Sequence, residues 1–70
     1  MTEPAMSLGE ALPKEQARVR ELLCEYVKLG PAGTFGAVML RAALLEADES
    51  AMSGDLVRMI RAYEALKECQ

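Results

Sequence analysis

The sequence predicts an all-α fold, a three-helix unit whose last two helices form a C-terminal hairpin, assembled as a homodimer. Apolar residues recur at helical spacing in three blocks, and β-branched residues are few and never alternate as a strand requires. The blocks are separated by "GPAGTFG" and by a short "SG" break, which punctuate helices. The homodimer is expected from size: a chain of 70 residues buries a modest fraction of its surface and is marginal alone. Its two cysteines, Cys24 and Cys69, make no disulfide framework. Without histidine or a CxxC spacing, a structural zinc site lacks ligands. Self-association is the remedy that remains.

Residues 1–11 are small and polar and read as a flexible N-terminal arm, ahead of a single helical domain over 12–70. Within the arm, Ser7 and Glu10 have the spacing of a capping box, which admits one short turn. The first helix is expected to open at Pro13, where a missing N–H costs nothing, with Glu15 in its first turn. At 100° per residue, Leu12, Val19, Leu22, Leu23, Tyr26 and Val27 share one side. Lys14, Arg18, Glu21, Glu25 and Lys28 take the wet side, where exchanging Arg18 should matter little. Cys24 reads as a small half-buried thiol and Cys69 as a free one at a frayed end.

"GPAGTFG" is not a phosphate-binding loop. Such a loop ends in lysine followed by serine or threonine, whereas Gly36 is followed by "AVM". A dinucleotide fingerprint needs a preceding strand, and a helix precedes here. It is a turn, with Pro31 or Thr34 opening the next helix, which runs to about Met52.

That second helix carries two apolar stripes. Phe35, Val38, Met39, Ala42 and Leu45 form one; Leu40, Ala43, Leu44, Ala47 and Ala51 form the other, nearly opposite. A helix apolar on most sides is expected to be covered on most sides. We assign Leu40, Leu44, Ala47 and Ala51 to the dimer interface. Phe35, Met39 and Met52 are the apolar anchors for a partner, with Arg41, Arg58 and Arg61 at the rim, since aromatics, Met and Arg are enriched at interfaces. Core filling is the competing role for Phe35 and the methionines.

The third helix follows the "SG" break, with Ser53 as expected N-cap and Asp55 in the first turn. Leu56, Met59, Ile60, Tyr63 and Leu66 share a face; Arg58, Arg61, Glu64 and Glu68 lie around the back. The short break implies antiparallel packing on helix two.

Nothing in the sequence suggests catalysis. Without histidine, no base stands beside a nucleophile, and Glu46, Asp48 and Glu49 read as a solvated acidic patch. We expect no enzyme activity, no cofactor and no metal. A net charge of −3 argues against nucleic-acid binding. No apolar run is long enough to span a membrane, and the acidic N-terminus does not read as a signal peptide, so the expected compartment is the cytoplasm.

Two resemblances add to this reading. "SGDLVRMIRAYEALK" is similar to part of a tetratricopeptide repeat, but no second copy follows at the repeat period of about 34 residues. Over nearly the whole chain, "ALP…ARVRE", "GPAGTFGAVMLRAAL" and "SGDLVRMIRAYEALK" resemble small early-region proteins of Mu-like Pseudomonas phages, among them the phage anti-quorum-sensing anti-activator family. The resemblance implies a helical dimer in the bacterial host cell that binds the host LuxR-type quorum-sensing activator and silences it. It implies a second target, the type IV pilus assembly ATPase, whose inhibition excludes superinfecting phages. The competing reading is a helical-hairpin adaptor whose partner is itself or another phage component.

Overall fold

A computed structural model describes residues 7–70. Helix α1 spans Leu8–Lys28, a 3-10 turn spans Gly30–Gly33, α2 spans Thr34–Ser53 and α3 spans Leu56–Lys67. The described residues are all helix and connection, with no strand. Each helix packs on the other two, and α2 and α3 are joined by only Gly54 and Asp55.

The first helix starts earlier than expected. Ser7 is its N-cap: the hydroxyl accepts from the Glu10 amide while the Glu10 carboxylate accepts from the Ser7 amide. A cap of this kind contributes about 1 kcal/mol, enough to draw Leu8–Ala11 into the helix. Pro13 therefore lies inside α1 rather than at its start, removing one bond of the backbone ladder. The expected arm is shortened accordingly: residues 7–11 belong to α1 and its cap, and residues 1–6 lie outside the described residues. The third helix is shifted in the same way. Asp55 rather than Ser53 is its N-cap, accepting from the Arg58 amide, and Ser53 closes α2.

The corner between α1 and α2 is set by Tyr26. A Cβ on Gly36 would run into the Tyr26 ring, and one on Gly33 into the Tyr26 carbonyl. These two glycines let α2 approach α1 closely. The Tyr26 hydroxyl then donates to the carbonyl of Gln70, tying down the end of the chain.

The core is formed by Leu12 and Val19 of α1, Leu40, Leu44 and Ala47 of α2, and Ala62 and Leu66 of α3. Met59, Tyr63, Leu22 and Leu23 close its edges. Two polar residues are buried with it. Ser50 donates to the Ala47 carbonyl, and Gln16 Nε2 donates to Asp48 Oδ1 at 2.6 Å, linking α1 to α2. Among the described residues no buried side-chain nitrogen or oxygen lacks a partner.

This arrangement corrects three expectations. Leu40, Leu44 and Ala47 are buried inside one chain, packed against α1 and α3, and so are not available as a dimer interface; Ala51, the fourth residue assigned there, is exposed. Leu56 and Ile60 do not join Met59, Tyr63 and Leu66 in the core but stay exposed, because α3 turns its Ala62–Leu66 line inward. Arg18 is not a bystander: its guanidinium donates to the Leu66 carbonyl at 2.7 Å and the Cys69 carbonyl at 3.1 Å, capping the end of α3.

The molecule is a slab of 43 × 30 × 14 Å with a radius of gyration of 13.1 Å, against about 11 Å for a compact chain of this length. A three-helix layer this thin covers only one side of α2.

Candidate protein-binding face

The uncovered side of α2 carries Phe35, Val38, Met39, Ala42, Leu45 and Met52, all exposed. Phe35 is 77% exposed and Met52 85%, which removes both from the core-filling role. Of the two stripes of α2, one is therefore spent on the core and the other faces solvent. An exposed row of large apolar side chains is the feature of a monomer surface that most often marks an interaction site.

The expected rim residues differ among themselves. Arg41, exposed, flanks the row and makes no ion pair or side-chain hydrogen bond among the described residues. Arg58 is already engaged: Nε donates to Glu46 at 2.7 Å, and Nη2 reaches Glu46 at 3.0 Å and Glu49 at 3.2 Å. This fork of hydrogen bonds holds the Glu46 carboxyl below its usual range and the guanidinium above its own. Glu46 and Glu49 lie on the same line of α2 as Phe35 and Ala42, so Arg58 neutralises the C-terminal half of the exposed row. Arg61 is exposed and lines, with Arg58, Glu46, Asp55 and Val57, an open groove of about 420 Å³ between α2 and α3. The structure thus brings Phe35, Met39, Arg41 and Met52 onto or beside one helix face, with Arg58 at its end and Arg61 beyond it on α3.

The acidic residues are not simply solvated. Glu46 and Glu49 are bound by Arg58, and Asp48 accepts from Gln16 with Arg20 at 3.8 Å. Among the described residues no group of three or more His, Cys, Asp and Glu side chains could hold a metal ion. Another groove, about 230 Å³, opens at the α1–α2 corner between Tyr26, Val27, Thr34 and Arg41. Cys24 is exposed rather than half-buried; Cys69 packs against the core, its Sγ donating to the Ala65 carbonyl, and burial pushes its thiol pKa up against the lowering effect of Arg18. No helix among the described residues is long and apolar enough to cross a membrane.

Sequence reasoning missed a second exposed apolar group, Leu56, Val57 and Ile60, at the start of α3. Only Val57 carries a signal in the sequence: it lies next to the polar Arg61 and Glu64 on the helical projection, a position that a core residue would not take.

Comparison with known proteins gives no family match, no curated relative and no solved structure similar to this chain.

Proposed function

We propose that this chain is a non-catalytic protein-binding inhibitor that docks its uncovered α2 face onto a host LuxR-type quorum-sensing activator and keeps it from acting on DNA. One observation carries the binding role: Phe35, Val38, Met39, Leu45 and Met52 are held in solvent along one helix. The choice of target is supported by the resemblance of "GPAGTFGAVMLRAAL" and the flanking segments to phage anti-activators. The same resemblance supports the pilus assembly ATPase as a second target.

Arg41 is the residue that best separates binding from folding. It is exposed and unpaired among the described residues, and arginine truncations at interfaces often cost about 2 kcal/mol or more. Calorimetric titration of the purified activator should show Arg41→Ala binding at least about tenfold more weakly, with helicity and melting temperature unchanged. Equal binding by Arg41→Ala and Met39→Ala, both folded, would place the interface elsewhere.

A further inference from the structure

We propose that the groove between α2 and α3 seats an acidic amphipathic helix of the protein partner, with a carboxylate of that helix on Arg61.

The groove, about 420 Å³, lies between two helices joined by a two-residue turn. Ala62 and Ala65 of α3, one turn apart, line it with small side chains. Small residues at this spacing let a third helix lie close along the two that form the groove. Val57, also lining it, is exposed, and the apolar surface goes on through Ile60, one turn further. On the α2 side the groove is lined by Glu46, which follows the exposed Ala42 by one turn. The groove therefore adjoins the outer face of α2.

The charge left over in the groove fixes what the helix must carry. Its charged lining residues are Glu46, Asp55, Arg58 and Arg61. Three of them are engaged within the chain. Arg58 holds Glu46 at 2.7 and 3.0 Å, and Asp55 accepts from the Arg58 amide as the cap of α3. Arg61 makes no ion pair among the described residues, although the chain carries eleven acidic residues against eight basic ones. In water that costs nothing. Under a docked helix the guanidinium loses solvent, and an unpaired charge there is costly. A carboxylate from the helix offsets that cost with a charge-assisted, bidentate bond. A cationic segment would be repelled, and a nucleic-acid strand would carry its phosphates past Glu46 and Asp55. The inference rests on the activator reading above and names the chemistry of the activator segment that this groove takes.

Cross-linking in the complex of the full chain with the purified activator tests it. Arg61→Lys keeps the charge and supplies an amine, which a carbodiimide joins to a carboxylate in contact with it. Peptide mass spectrometry should find position 61 joined to an Asp or Glu on an amphipathic helix of the activator. Arg61→Glu should bind the activator at least about tenfold more weakly, and so should Ala65→Trp, which fills the groove from an exposed position. Both should keep their helical circular dichroism. Native affinity in both folded variants would overturn the groove as the seat and leave the α2 face as the whole interface. Adducts from position 61 only to a second copy of this chain, or no intermolecular adduct in a complex of native affinity, would overturn the acidic partner. No complex at all with the unsubstituted chain would sink the activator reading, and this inference with it.

Discussion

Arg18 of α1 donates to the carbonyl of Leu66, 48 residues away, at 2.7 Å, and so closes the end of α3 from another helix. With Tyr26 binding the Gln70 carbonyl, the C-terminal end of the chain is held by two side chains of α1. A cation at a helix C-terminus also interacts favourably with the helix dipole. Arg18→Glu removes the donor and puts a negative charge beside those carbonyls. Arg18 remains partly exposed, so the cost should be about 1 kcal/mol rather than the larger value of a buried charged bond. Thermal denaturation should show a melting temperature lower by roughly 4–8 °C; no change would mean that the cap does not persist in solution.

The Tyr26–Gly36 contact gives a substitution whose sign depends on its background. In an open helix, glycine to alanine is stabilising by roughly 1 kcal/mol. At Gly36 the added methyl meets the Tyr26 ring, and overpacking of this kind costs about 1–3 kcal/mol. Gly36→Ala should therefore destabilise the native protein yet stabilise Tyr26→Ala. Chemical denaturation of the four proteins in the cycle reads that coupling directly.

The Arg58 fork makes a prediction about acid. Because Glu46 is held below its usual carboxylate range in the fold, its bond contributes fully above that range and is lost as pH falls through the lowered value. The effect is modest, since both partners are substantially exposed. Melting temperatures measured between neutral pH and about pH 3 should fall less for Arg58→Gln than for the unsubstituted chain over the carboxylate window. Parallel curves would show that Glu46 titrates without reference to Arg58.

Leu44 and Leu45 are neighbours in sequence on different faces of α2, one 8% exposed and the other 58%. Leu44→Glu puts an unpaired carboxylate into the core and should abolish cooperative unfolding. Leu45→Glu should leave the fold's helicity unchanged. Circular dichroism on both variants checks this, and similar behaviour would mean that the two positions do not differ in burial as the fold requires.

That pair also shows how far the sequence could be read. Three helices, the turn at "GPAGTFG" and the two stripes of α2 follow from spacing alone, because burial imposes a 3.6-residue period on each element. Which stripe goes inside does not follow. Both are apolar, and the choice of Leu40, Leu44 and Ala47 depends on where Tyr26 lets α2 cross α1. Tertiary bonds were likewise illegible: Arg18 looked like any wet-face arginine, and Arg58 like a free one, until helices distant in sequence were brought together. The start of α1 failed differently. The Ser7–Glu10 spacing marks a cap and Pro13 marks a competing start, but one missing backbone bond is tolerated inside a helix of 21 residues, so the cap prevails. The exposed anchors Phe35, Met39 and Met52 were legible as interface residue types, and their exposure came from the fold.

Silencing of a LuxR-type activator by the outer face of α2, as proposed above, can be followed in a single titration. The purified activator, bound to fluorescent promoter DNA, is followed by anisotropy as this chain is added. The chain should release the DNA, whereas Met39→Glu, equally helical, should leave it bound. DNA that stays bound at saturating chain, or is released equally by Met39→Glu, would contradict the claim.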